Sequence, residues 1–485
     1  MSIEIKNNIK KGIVWTIINS IGNKIVNIFS QLVLAWILLP SDFGKIGLMF
    51  TITSFITILQ NFGLTDVLIK KEKSFDLFFQ NSTSILTILS IITFVLCLLG
   101  GVIGGILYDD NEIMYLIFIF SLSIFPNTFN VLPDAKLRIN LQFKTLSLIQ
   151  IYSSIATNLL TIVFALLHFG IYSFVIPIVI ISYTQYFYCL KLSNLKFNIS
   201  FKLSKWRVIV VNSFYGFANS FNQRVIQQSD VLILGLIATK SVVGIYYMAF
   251  TFSIQAIGFV VGSIVPVLYP TLNKIPKNQF EEQKNTLLII LKYLSFVGMP
   301  FAFWQILATK PLILIFLSDK WGDTIQLTEI LSFAIGFKVI SSIWEVALRL
   351  KGDFKLQAKY SSYNTLLFIA LIVPFTFFLK EKGAAIAVTL HNVSSIFLIV
   401  MSFKKYNISA RAVLQPIIKY FLIGFVTVLL FFYLRENVEM SLYLNFVFSV
   451  FVYPIFYMLV IFSYDKATVL NLKRLVFERK RVKTI

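Results

Sequence analysis

The chain has 485 residues, is 57% hydrophobic and only 13% charged, and has a mean hydropathy of +0.82. A soluble globular protein of this length needs more charge to cover its surface, so the composition describes an integral membrane protein. A formal charge of +21 would point to nucleic acid in a soluble chain. Here the charge sits in loops between apolar runs, and no nucleic-acid partner is expected.

The apolar runs are about 20 residues long, the length of a helix that spans a bilayer; barrel strands would be about half as long and would alternate. Lys6, Lys10 and Lys11 before an apolar run look like the start of a signal peptide. The run continues to Leu39 without a small-residue cleavage site, so it is predicted to be a first transmembrane helix. In chain order the predicted spans are Ile13–Leu39, Ile46–Leu68, Ile85–Leu107, Ile113–Val131, Leu146–Leu167 and Ile171–Leu190. Then come Val208–Ile237, Ile245–Leu268, Leu287–Leu317, Ile325–Leu348, Thr365–Phe378 and Ala384–Phe403. Ile417–Leu434 and Leu442–Phe462 complete about fourteen spans. With the N-terminus inside, alternate loops hold about 33 of the 43 lysines and arginines, the bias of the positive-inside rule. Both termini are therefore predicted to be cytoplasmic.

The chain is internally duplicated. Gly12–Thr51 aligns with Asn212–Thr251 without a gap, so Asn19 meets Asn219, Asn23 meets Gln223, Lys24 meets Arg224 and Asn27 meets Gln227. Leu137–Lys144 matches Leu348–Lys355 at an offset of 211, and Gly170 matches Gly383 at 213. Six spans per copy is an even number, so the copies share one orientation, the plan of parallel repeats. The predicted organisation is a first six-helix bundle over 1–207, a second over 208–406, two added helices over 407–464 and a basic tail over 465–485.

Lys24, Arg224 and Lys338 fall near the centres of their spans, where a charge costs on the order of 2.5–3.5 kcal/mol on insertion scales. Two readings stand side by side. The three cations line a hydrated cavity, or they are neutralised by Asp66, Asp230 or Glu345 as structural ion pairs. A cationic cavity suits a diphosphate, since Arg224 offers a bidentate fork and the lysines act as point charges. The stripe of Asn19, Asn23, Asn27, Asn219, Gln223 and Gln227 can bond sugar hydroxyls or can join neighbouring helices. The two cysteines, Cys97 and Cys189, lie in apolar runs, and the two histidines, His168 and His391, lie far apart. No metal site or cofactor is expected.

Three motifs carry a family resemblance: Leu38-Leu39-Pro40-Ser41-Asp42-Phe43-Gly44, Asn61-Phe62-Gly63-Leu64, and Ser229-Asp230-Val231-Leu232-Ile233-Leu234-Gly235 followed by Val243-Gly244-Ile245-Tyr246. With the topology, they resemble the polysaccharide transporter, or O-antigen flippase, family of the multidrug/oligosaccharidyl-lipid/polysaccharide exporter superfamily. The resemblance implies an all-α integral membrane protein with two bundles in a V. It also implies flipping of undecaprenyl-diphosphate-linked oligosaccharide across the bacterial inner membrane for lipopolysaccharide, capsule or exopolysaccharide assembly. Lys24 and Arg224 match the family's cavity cations, with Lys338 a third candidate for the diphosphate. Asp66 and Asp230 are candidates for coupling to H+ or Na+, and Arg138 and Arg349 for drawing the lipid diphosphate to the cytoplasmic entrance. Membrane lipids and a polysaccharide polymerase are the expected partners of a monomer.

Two alternatives remain. A multidrug or small-solute antiporter of the same superfamily shares the fold but wants the opposite cavity charge. A membrane enzyme of glycan assembly needs an ordered loop with positioned acids. The outer turns here are short, Ser318–Asp323 among them, so the chain is not expected to be an enzyme.

Overall fold

A bilayer offers no water to the backbone, so a spanning segment must satisfy its own N–H and C=O groups, which a helix does. The computed structural model describes residues 3–60, 64–65, 68, 75–195, 206–253, 279–351, 353–436, 441–466 and 468, and every regular element among them is helical. The first half holds α1 Ile3–Ile37, α2 Pro40–Thr57, α3 Phe75–Leu107, α4 Asn111–Ser121, α5 Ile124–Phe129, α6 Val131–Ile139, α7 Phe143–Leu166 and α8 Tyr172–Ser193. The second opens with α9 Trp206–Ile237 and α10, described over 240–253. It continues with α11 Phe280–Phe316, α12 Thr324–Ser341, α13 Ile343–Lys351, α14 Phe354–Ser394 and α15 Ile396–Lys404. Last come α16 Ala410–Glu436, α17 Leu442–Val447 and α18 Tyr453–Tyr464, the last two joined by a π-helical turn, Phe448–Val452.

Among the described residues nine stretches are long and apolar enough to cross a membrane, or ten if the pair Asn111–Ser121 and Ile124–Ile139, bent by 42°, is one broken span. The duplicated helices α1 and α9 are not among the nine; their polar stripes dilute the apolar residues. One of the nine, Lys355–Lys404, runs for 50 residues. As straight helix it would measure about 75 Å, against ~30 Å of hydrocarbon. It folds back at Lys380, where φ is 49° and ψ is −131°. A Cβ on Gly383 would lie 1.8 Å from the Phe375 carbonyl oxygen, an approach that only a reversal of the chain allows. The turn predicted between Phe378 and Ala384 is where the reversal occurs.

Let the near end be where α1 begins and the far end where it stops. Helix α1 lies along α7, and α9 lies along α14. Asn19 donates to Gln150, and Asn158 donates to Asn27 at 2.8 Å. Both pairs are 131 residues apart, a constant separation that shows two parallel helices in fixed register. Asn222 of α9 likewise donates to Ser362 of α14 at 3.1 Å.

The buried apolar residues divide by level. Toward the near end, one cluster around Leu64, Leu86, Leu132 and Ala135 belongs to the first half. Another, around Leu291, Val339, Phe403 and Tyr406, belongs to the second. Toward the far end the clusters are shared: Ile46, Leu48 and Ile117 pack with Val231, Tyr246 and Phe368. Leu34, Ala35 and Phe43 pack with Met248, Ile313 and Trp321. The halves are joined through the far-end cores.

The added helices are tied down by one carboxylate. Asp465, at the end of α18, accepts from Lys419 at 2.7 Å and Tyr420 at 2.9 Å, pairs with Lys292 at 3.5 Å, and takes the Thr468 hydroxyl at 2.6 Å. Burial works against its ionisation, but Lys419, Thr468, Tyr420 and Lys292 prevail and hold the carboxyl well below the usual carboxylate range. A depressed folded-state pKa contributes stability that is complete above the unfolded value, ~3.9, and is lost as the pH falls through the folded value. Asp465→Asn is expected to lower stability by about 1–3 kcal/mol, the cost of leaving charged donors under-satisfied. Thermal unfolding at pH 7 and at about pH 2, inside the window between the two values, checks this: the gap between wild type and variant should narrow at the lower pH.

Candidate functional site

Lys24 and Arg224 each stand 13 residues before the end of their helix, about 20 Å from the far end. Lys24 is partly buried. Arg224 is exposed and forms no ion pair with another described residue. The polar stripe is divided between roles. Asn19 and Asn27 are engaged with α7, and Asn23 donates to Asn19 at 2.8 Å. In the second copy, Gln223 donates to Glu345 at 2.7 Å. The carbonyl oxygen of the Asn219 side chain is buried with no hydrogen-bond partner among the described residues, and Gln227 is partly buried.

The contact between Gln223 and Glu345 sets the register of α9 against α12 and α13. Residue rise counted from the sequence puts Glu345 near the cytoplasmic end and Lys338 level with Arg224. The structure instead brings Glu345 to the level of Arg224 and Lys338 to the level of Asp230, with which it interacts electrostatically. The helices start at different heights, which residue counting ignores. Asp230 is fully buried; it accepts from the Tyr246 hydroxyl at 2.7 Å and the Val231 N–H at 2.9 Å. Asp66 lies outside the described residues.

The two entrance arginines carry partners that the sequence analysis did not assign. Arg138 Nε bonds Asp134 at 2.6 Å, and Arg349 Nη2 bonds Glu345 at 3.1 Å, each one turn earlier on the same helix. The spacing of four residues was visible in the sequence and could have found both pairs.

The far end is closed by contacts that repeat across the two halves. A Cβ on Gly44 would fall 2.0 Å from the Lys240 carbonyl oxygen, and one on Gly244 would fall 1.7 Å from that of Pro40. Positions 40 and 240, and 44 and 244, are equivalent in the duplication, so α2 and α10 cross backbone to backbone about a pseudo-twofold axis. The end of α1 is held by the turn before α12: Trp321 Nε1 donates to Ala35 O at 2.9 Å, and Lys320 Nζ to Leu38 O at 2.8 Å. The end of α9 is held by the turn before α4: the Tyr108 hydroxyl donates to Leu232 O at 3.2 Å, and Lys240 Nζ to Tyr108 O at 2.6 Å. Tyr108 and Trp321 are 213 residues apart, the offset between Gly170 and Gly383.

A family model described as polysaccharide biosynthesis protein matches residues 33–326, more than half of the chain. The chain belongs to this family. Among solved structures it is similar to the lipid II flippase MurJ in an inward closed conformation, with a TM-score of 0.80 at 15% identity over 94% of this chain and 100% of that one. It is also similar to an inward-facing multidrug resistance MATE family transporter of the MOP superfamily, with a TM-score of 0.59 at 13% identity over 79% and 94%. The Vibrio cholerae MATE transporter VcmN in its bent form gives a TM-score of 0.53 at 11% identity over 84% and 98%. At these identities the likeness is one of fold. No functionally curated protein matches the chain in sequence.

In this member of the polysaccharide biosynthesis protein family the polar helix α1 adjoins an apolar cleft that sequence reasoning missed. A 440 Å³ cavity is lined by Ile28 and Leu32 of α1, Phe252 of α10, Trp304 and Ala308 of α11, and Phe446 of α17. At Trp304 it meets a second groove of 320 Å³ between α11 and the added helices, lined by Pro300, Tyr453 and Tyr457. The π-helical turn contributes Val450 to this groove. No local sequence pattern signals such a cleft, because its walls come from five separate helices, α12 contributing Thr328.

Proposed function

We propose that this chain flips a lipid-linked oligosaccharide, carried on undecaprenyl diphosphate, across the bacterial inner membrane by alternating access. The near end is the cytoplasmic side, as the lysine and arginine bias supports. The observation that carries the reading is Arg224, exposed and without an ion pair to a described residue at membrane depth. A guanidinium there is costly against lipid, so it faces a hydrated space, and with Lys24 that space selects anions. Far-end cores shared by both halves, and near-end cores that are not shared among the described residues, fit a state closed to the outside. The diphosphate is held by Arg224 and Lys24, the glycan lies among Asn219, Gln223 and Gln227, and the prenyl tail runs out through the apolar cleft. The two halves then rock. Direction comes from differential affinity between the states or from an ion. The buried Asp230, with Tyr246 and Lys338, is the place for H+ or Na+ to act.

The reading is tested in a host lacking its own flippase, by quantifying lipid-linked oligosaccharide on each membrane face. Outward movement with the intact chain supports it. A chain that moves no glycan lipid but exports cationic dyes is an antiporter instead.

A further inference from the structure

The two arginines at the near end are already ligated, each by the carboxylate four residues earlier; the Gln357 side-chain oxygen also accepts from Arg349 at 3.1 Å. Asp134 and Glu345 are 211 residues apart, as are Arg138 and Arg349, so the pairs occupy equivalent places on the nine-residue helices α6 and α13. In the first half the guanidinium forks the carboxylate, with Nε at 2.6 Å from one oxygen and Nη2 at 3.4 Å from the other. A carboxylate fork has the geometry that a phosphate offers the same side chain. Helical ion pairs four residues apart are common, and one alone would carry no weight. The recurrence and the second bond on Glu345 distinguish this case. Glu345 also accepts from Gln223, the neighbour of Arg224. It thus links the entrance arginine to the polar stripe. The arginine side chains are 39% and 41% exposed, so a headgroup can reach them.

We propose that Asp134 and Glu345 are specificity-determining residues: internal carboxylates that occupy Arg138 and Arg349 until a lipid diphosphate displaces them. Resting on the flippase reading above, this adds a reason why abundant phospholipids do not fill the entrance. A headgroup with one phosphate competes poorly with a carboxylate fixed one helical turn away. A diphosphate brings more charge and a second set of oxygens. Selection is then a difference of affinities set by a built-in competitor.

The test measures binding of farnesyl diphosphate and farnesyl monophosphate to the full chain in nanodiscs of neutral lipid, for wild type, Asp134→Asn, Glu345→Gln and the double variant. Glu345→Gln keeps an acceptor for Gln223 while removing the charge. The expected result is tighter binding of both ligands, with the preference for diphosphate over monophosphate falling at least threefold in each single variant and further in the double. If the wild type prefers the diphosphate and the variants keep that preference or bind more weakly, the acids are structural and this inference alone falls. If the wild type binds neither ligand, the diphosphate cargo falls with it. Repeating the titration in nanodiscs containing phosphatidylglycerol separates the two phosphate sources: the lipid should compete in the variants and not in the wild type.

Discussion

Arg224→Ala should abolish outward movement of lipid-linked oligosaccharide while leaving the protein folded and inserted. Charge-assisted hydrogen bonds contribute about 1.5–3 kcal/mol each, and 1.4 kcal/mol is a factor of ten. Losing a bidentate fork, two such bonds, on a diphosphate therefore predicts a fall of roughly 100- to 10,000-fold. Arg224→Lys keeps the charge but not the fork and should retain part of the activity. Lys24→Ala removes a point charge at the equivalent place in the other copy and should cost about tenfold. The measurement is the ratio of glycan lipid on the two faces, normalised to protein in the membrane. A structural role predicts another pattern. Removing a stabilising cation would lower the amount of protein or its unfolding temperature and leave the rate per molecule unchanged. Arg224 is exposed and makes no ion pair with a described residue, so little stability depends on it, and the transport readout should respond first.

Much of the fold was legible because the bilayer imposes it. Apolar run length gave the all-helical membrane class, and Gly383 marked the turn of the second copy's last hairpin. The duplication was legible because Asn19/Asn219, Lys24/Arg224 and Gly44/Gly244 survive at one offset. The motifs then acquired physical reasons. Pro40 begins α2, and the Asp42 carboxylate takes the Leu39 N–H at 2.9 Å, so Pro40-Ser41-Asp42 is a helix start. Tyr246, two residues after Gly244, satisfies Asp230.

What stayed hidden depends on relative height and on contacts between distant segments. Lys338 shares a layer with Asp230 rather than with Arg224, because α9 and α12 do not begin at one level. That Asn19 and Asn27 face α7 could not be read from periodicity, since a polar stripe that joins helices and one that lines a cavity use the same residue types. Only the partners, Gln150 and Asn158, make the difference.

Gly244→Ala should hold the far end open. The added carbon would meet the Pro40 carbonyl oxygen at 1.7 Å, where contacts under 3.0 Å are essentially never seen. The obstacle is backbone, so no side-chain rotation relieves it and α2 and α10 must part by more than 1 Å. Overpacking of this kind costs about 1–3 kcal/mol or more, and it is charged only to the state in which the helices touch. The equilibrium should therefore shift toward the outward-open form by roughly 10- to 100-fold, and flipping, which needs both states, should fall at least tenfold. Gly44→Ala, facing Lys240 O at 2.0 Å, should act alike, whereas Gly22→Ala, with nothing within 4 Å, is the control. Gln227→Cys supplies the readout, because Cys97 and Cys189 are buried and contribute little labelling. A membrane-impermeant maleimide added outside should label Gln227→Cys slowly in the parent and quickly with Gly244→Ala. Trp321→Phe separates gating from misfolding: it loses the bond to Ala35 O but keeps a ring against Phe43, whose centroid is 5.2 Å away. It should raise labelling by a smaller factor with the protein fully folded. If labelling stays slow in both variants while flipping is lost, the contacts serve assembly rather than closure, and the far end is not the moving gate.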